Sequence, residues 1–178
     1  MRTMHVFGLA GWSGSGKTML LTRLLPALIA RGLTVSTVKH AHHEFDVDQP
    51  GKDSWNHRQA GAREVMVASA RRWALMHEHR DAREPTLEEL LNHMSPVDLV
   101  LVEGFKTGNF PKLEVHRAAL GKPLLYPEDD SIVALACDDA EVPAATLPRL
   151  RLGDIDGICD LIVAHCRVEE AADGPAQR

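Results

Sequence analysis

Gly11-Trp12-Ser13-Gly14-Ser15-Gly16-Lys17-Thr18 follows directly on the apolar run Val6-Phe7-Gly8-Leu9-Ala10 and fits the pattern G-x-x-x-x-G-K-[ST]. Its glycines let the backbone curl so that successive N–H groups converge on phosphate oxygens, and the helix behind the loop adds the positive end of its dipole. In a loop of this kind the Lys17 ammonium reaches the β- and γ-phosphates and the Thr18 hydroxyl faces Mg²⁺. Leu20, Leu21, Leu24, Leu25 and Leu28 then recur at helical spacing, so strand, loop and helix succeed one another as a phosphate-binding βα unit requires. A plain glycine-rich turn is the alternative, and the flanking strand and helix weigh against it.

Outward from that loop, 178 residues predict one domain over 1–170 with a frayed tail over 171–178. A net charge of -5 and a pI near 6.0 lack the basic footprint of a nucleic-acid binder. No apolar stretch is long enough to cross a bilayer. Cys137, Cys159 and Cys166 form no C-x-x-C pair, which argues against a disulfide framework or zinc ribbon and for a cytoplasmic protein. Arg2 ahead of an apolar run superficially suggests a signal peptide. The run leads straight into the phosphate loop, however, and is read as the first strand of the mature chain.

The first unit is read as strand Met4–Ala10, helix Lys17–Arg31 and strand Leu33–Val38. Gly32 stops the helix and Pro26 is expected to kink it. Ser54–Gly61 reads as a short helix. Val65–Ser69 and Trp73–His77 read as two strands joined by a turn at Ala70-Arg71-Arg72. Thr86-Leu87-Glu88-Glu89 has capping-box spacing and starts a helix ending before Pro96. Asp98–Gly104 is a continuous apolar run ending in an acid, as buried parallel strands are. Leu113–His116 and Ile132–Ala136 are later strands, and Ile155–Val168 is a closing helix. This alternation predicts an α/β protein: a P-loop NTPase-type three-layer sandwich, with a mostly parallel sheet and an inserted antiparallel strand pair.

Glu103 closes a buried strand at the sheet edge where such folds bind ligands, which makes it a candidate Mg²⁺ partner. Gly104 behind it permits close backbone approach to phosphate. Asp98, at the other end of that strand, is the poorer ligand. The segment Lys39–Asp53 follows the second strand and occupies the position of a switch loop sensing a γ-phosphate. Asp46 and Asp48 are candidates for the Mg²⁺ shell or for orienting water, and Lys39 and Lys52 for anion contacts. His40, His42 and His43 fit nucleotide or substrate contacts, a solvated loop, or a transition-metal site, although their spacing matches no standard zinc motif. Lys106, Lys112, Glu114 and Arg117 are either a solvated charged edge or, through Lys112 and Arg117, a second anion site. Trp12 is a large apolar side chain inside the loop, placed to pack on a neighbouring loop or a partner. Arg63, Arg71, Arg72, Arg80 and Arg83 would have to form the lid of a small metabolite kinase, but Arg71-Arg72 reads more simply as a turn.

Several of these segments are not generic: Gly11–Thr18 with Trp12, Lys39-His40-Ala41-His42-His43 through Asp46-Val47-Asp48, Pro50-Gly51-Lys52-Asp53-Ser54, Ala60-Gly61-Ala62, Arg72-Trp73-Ala74-Leu75-Met76 and Leu101-Val102-Glu103-Gly104-Phe105-Lys106. From about Phe7 to Asp138 they resemble the molybdopterin-guanine dinucleotide biosynthesis adapters, the MobB family. The resemblance implies a dimeric GTP-binding adapter with at most weak GTPase activity. Such an adapter assists a guanylyltransferase that joins GMP to molybdopterin, and it works with molybdopterin-handling proteins. It further implies that Gly11, Gly14, Gly16, Lys17 and Thr18 bind phosphates and Mg²⁺, that Glu103 and Gly104 form the acidic site opposite, and that Asp46 or Asp48 lies in the switch loop. The catalytic set is then Lys17, Asp46 and Glu103, the metal set Thr18, Glu103 and Asp46, and the nucleotide set Gly11 to Thr18, including Ser13 and Ser15, with Gly104. No N-K-x-D motif reads guanine, so GTP preference rests on the resemblance, with Asp138 a candidate base contact. A metabolite kinase and a nucleotide-dependent metal chaperone are the rival readings.

Overall fold

The apolar run ahead of the phosphate loop forms β1 (His5–Ala10), and the rest of the sheet is built outward from it. The computed structural model describes residues 4–41, 45–105, 108–138 and 146–166. The strands that follow are β2 (Val35–Lys39), β3 (Glu64–Ala68), β4 (Trp73–His77), β5 (Leu99–Glu103), β6 (Lys112–Val115), β7 (Ile132–Ala136) and β8 (Arg149–Leu150). The helices are α1 (Lys17–Ala30), α2 (Asp53–Gln59), α3 (Leu87–Leu91) and α4 (Ile155–Cys166). The chain divides into two compact units, Met1–His40 with Met94–Arg178, and Ala41–His93. Residues 171–178 lie outside the described residues.

The larger unit carries a six-stranded sheet in the order β2-β5-β1-β6-β7-β8, every pairing parallel. Parallel strands need long crossovers, so all six run the same way and their carboxyl ends gather at one edge. Phe7 and Leu9 of β1, Leu99 and Leu101 of β5, and Leu113 and Val115 of β6 point to one face. There they pack with Leu20, Leu21, Leu24 and Leu28 of α1 and with Ile158, Cys159 and Ile162 of α4. α1 runs through Pro26 without interruption, the proline sitting on its exposed side. At its end Gly32 (φ 83) donates to Ile29 O and Leu33 N to Leu28 O, a left-handed cap that satisfies the last carbonyls.

The opposite face of β6 buries two charges, Lys112 and Glu114, and the β6–β7 connection is tied to both. The Lys112 ammonium donates to Asp129 Oδ2 (2.9 Å) and Ser131 Oγ (2.8 Å). Glu114, with no exposed surface, accepts from the backbone N–H groups of Leu125 (2.8 Å) and Tyr126 (3.0 Å). Each charge is paired, as burial demands.

The second unit pairs β3 with β4 in antiparallel register, Glu64 opposite His77 and Ala68 opposite Trp73, with Ser69–Arg72 as the turn. α2 packs on β3. α3 is short and starts with the expected capping box, Thr86 and Glu89 each bonding the other's backbone N–H. Val65 is the one buried hydrophobic side chain among its described residues, whereas Met66, Val67, Trp73 and Leu75 are exposed.

Candidate functional site

The phosphate loop leaves the carboxyl end of β1 and turns into α1 through three glycines with left-handed φ: Gly11 (143), Gly14 (82) and Gly16 (101), the last being the α1 N-cap. An L side chain at such angles is strained, which is why the pattern keeps glycine at positions 11 and 16, and this chain adds a third at 14. Ser15 N–H donates to Trp12 O (3.1 Å), closing the turn. Lys17 folds back across the loop, its ammonium donating to Gly11 O (2.8 Å) and Trp12 O (3.0 Å).

β5 lies between β1 and β2, with Glu103 opposite Leu9 on one side and Lys39 on the other. That register sets the Glu103 carboxylate beside the first turn of α1, where Thr18 Oγ1 donates to Oε1 (3.0 Å) and Oε2 (3.2 Å). A hydroxyl and a carboxylate converging beside a phosphate loop are hard oxygen donors of the kind Mg²⁺ prefers, so these residues fit that ion. Gly104 (φ 94) follows. A Cβ there would stand 2.7 Å from His40 O, so this glycine admits the close approach of the β2 end to the β5 end. His40 N–H in turn donates to Glu103 O (2.8 Å), and its ring packs on Phe105 with centroids 4.8 Å apart.

The connection after β6 braces the loop from its other side. Arg117 Nε donates to Ser15 O (3.0 Å), and Trp12 Nε1 donates to Pro123 O (2.8 Å) with the Lys122 ammonium 5.6 Å from the indole centroid. Trp12 is therefore an anchor between loops, which its amphipathic ring suits. Nothing local to Trp12 in the sequence signals a carbonyl 111 residues away.

Several other candidates have partners of their own. Lys112 is a correction: it sits at the start of β6, away from the carboxyl edge, and buried against Asp129 and Ser131 it is a structural cation and no anion site. Glu114 is likewise structural. Asp98 accepts from Thr34 N–H (2.8 Å) and Thr34 Oγ1 (2.6 Å) and ties β5 to the start of β2. Asp138 accepts from Leu152 N–H (3.0 Å). In the second unit Arg58 collects the acids: Nη2 meets Asp46 Oδ1 and Asp48 Oδ1 (both 2.6 Å), and Nη1 meets Glu78 Oε1 (2.7 Å). Arg58, foremost by its hydrogen bond, holds the Asp48 carboxyl below the usual range. Lys39 and Lys52 are exposed. His42, His43 and Lys106 lie outside the described residues. Arg71 and Arg72 form the β3–β4 turn with Ser69, as their sequence suggests.

A family model described as molybdopterin guanine dinucleotide synthesis protein B, MobB, matches residues 6–138. The molybdopterin-guanine dinucleotide biosynthesis adapter protein of Escherichia coli (strain K12) is 44% identical over 158 residues, covering 86% of this chain and 89% of that protein. The adapter protein of Haemophilus influenzae is 46% identical over 134 residues, 74% of this chain and 73% of its own length. The crystal structure of Bacillus subtilis MobB shares the fold with a TM-score of 0.71 at 24% identity, over 93% of this chain and 99% of that one. A crystal structure of molybdopterin-guanine biosynthesis protein B gives a TM-score of 0.63 at 27% identity, over 89% and 98%.

Proposed function

The chain belongs to the MobB family, and we propose that its phosphate loop holds GTP with Mg²⁺ while it serves as an adapter in molybdopterin guanine dinucleotide biosynthesis. The adapter role is the part that the family and its close relatives support. The observation that carries the nucleotide reading is the Thr18–Glu103 pairing at the mouth of a loop whose three glycines have left-handed φ. The N–H groups of Gly14 to Thr18 and the α1 dipole bind the phosphates. Lys17 leaves the Gly11 and Trp12 carbonyls to meet the β- and γ-oxygens. Thr18 and Glu103 hold the ion, Glu103 directly or through water. Bound Mg²⁺ neutralises charge on the β- and γ-oxygens. Hydrolysis is weak, because Asp46 and Asp48, the remaining candidates, are held by Arg58.

The partners are the guanylyltransferase that joins GMP to molybdopterin and a second copy of the chain. Met66 and Trp73 are 61% and 62% exposed and share one face of the hairpin with Leu75, since Met66 pairs with Leu75 and Ala68 with Trp73. A unit with so little buried apolar surface of its own gains by covering that face. The decisive test is titration with GTP, with and without Mg²⁺, of wild type and Lys17→Ala, followed by a pull-down with and without GTP. Mg²⁺-dependent binding lost in the variant, with the guanylyltransferase recovered, is the expected result. Equal binding by Lys17→Ala refutes the site, and a pull-down that never recovers the transferase refutes the partner.

A further inference from the structure

We propose that Arg117 is a positioning residue of the phosphate loop, aiming the Gly16 N–H at the bound phosphate from behind. The proposal rests on the triphosphate reading of the loop. Ser15 C=O and Gly16 N–H belong to one peptide, the described residues contain no cis bond, and in a trans peptide the two groups point in opposite directions. Arg117 Nε donates to that carbonyl at 3.0 Å. Its Nε and Nη2 also lie 3.5 Å from the point where a Cβ on Gly16 would stand. The guanidinium thus occupies the carbonyl side of the peptide, and the N–H faces away from it.

Two consequences follow from charge and geometry. The cation polarises the peptide, so the Gly16 N–H becomes a stronger donor. The bond also holds Gly16 at its left-handed φ of 101, a conformation that a free glycine leaves readily. The rest of the β6–β7 connection, which carries Arg117, is itself anchored. Leu120 Cδ2 lies 3.6 Å from the Cβ position of Gly14, Pro123 O receives the Trp12 indole, and Glu114 pins Leu125 and Tyr126 from inside the sheet. Trp12 and Ser15 are thereby both bonded to one segment, on either side of Gly14 and next to Gly16.

The experiment compares wild type, Arg117→Met and Arg117→Lys by calorimetric titration with Mg-GTP and Mg-GDP, and follows the Gly16 amide by ¹H–¹⁵N NMR. Arg117 is exposed, and circular dichroism checks that the fold is kept. Losing one charge-assisted hydrogen bond predicts about tenfold weaker binding of both nucleotides by Arg117→Met, equal for the two because the loop N–H groups cradle the α- and β-phosphates. The Gly16 amide resonance moves in the free variant, and Arg117→Lys, which restores a cationic donor, recovers part of both effects. Unchanged affinity, or an unmoved Gly16 amide, overturns the proposal. A loss confined to GTP overturns it too, since that marks a direct γ-phosphate contact. If wild type binds neither nucleotide, the triphosphate reading fails first, and the free-state Gly16 amide still decides whether Arg117 sets the loop.

Discussion

Gly104→Ala offers the sharpest test of how the two sheet strands beside the phosphate loop are held. The new Cβ would lie 2.7 Å from His40 O and 3.3 Å from His40 Cβ, on a residue whose φ is 94. A left-handed L residue costs about 1–2 kcal/mol. Relieving the overlap requires β2 and β5 to part by several tenths of an ångström, which strains the His40 N–H···Glu103 O bond, worth about 0.5–1.5 kcal/mol. The sum is about 1.5–3.5 kcal/mol. Gly32→Ala is the matched control in the same unit: its φ of 83 imposes a similar conformational cost, but nothing lies within 4 Å of its Cβ position. Urea unfolding followed by circular dichroism should therefore show Gly104→Ala losing about 0.5–1.5 kcal/mol more than Gly32→Ala. Because Glu103 is the neighbouring residue, its carboxylate should also move off Thr18, so Mg²⁺-dependent GTP affinity should fall in Gly104→Ala and not in Gly32→Ala. Equal stability losses would refute the steric argument.

Lys112→Ala should cost about 2–4 kcal/mol in urea unfolding by stranding Asp129 and Ser131, while leaving GTP affinity unchanged. An affinity loss without a stability loss would return Lys112 to the anion-binding role. The hydrogen bond from Arg83, with a second from the Thr86 N–H, holds the Glu89 carboxyl down at about 2, below the ordinary value of ~4.3. A depressed carboxylate stabilises fully above its ordinary value and loses that contribution as pH falls through the folded one. The α3 cap should therefore survive pH 4 and open near the folded value, and a Glu89 NMR titration midpoint near the ordinary value would contradict this. Arg58→Met should let the Asp48 titration rise toward the ordinary carboxylate range, removing stability otherwise present above that range and lost below it. A midpoint unmoved by the substitution would show that Arg58 is not what holds it.

Much of the site could be read locally because its signals are local. A strand, three glycines at set intervals and a helix of period-spaced leucines are contiguous, and Glu103 ends an apolar run on the chain itself. The charged residues after Glu103 could not be sorted that way. Lys112 and Arg117 are five positions apart and equally basic. One begins β6 and is buried against Asp129, and the other follows its end and reaches Ser15 O. Position along the strand separates them, and it becomes visible only once the strand's direction and neighbours are known. Asp46 and Asp48 show the same limit, since their acidity is plain in sequence but Arg58, ten residues beyond Asp48, is what they meet.

By itself the sequence determined the element order from β1 to β7 with the closing helix, the glycine-rich loop, and Glu103 as a candidate beside it, because helix and strand periodicities and left-handed turns are written in neighbouring residues. The tertiary structure decided the order of strands that joins Glu103 to Thr18, the division into two units, and the bracing of Trp12 and Ser15 from residues 117–123. Those depend on contacts between residues roughly a hundred positions apart. Such contacts arise from how buried strands pair and from where each polar group finds its partner, which no local pattern records.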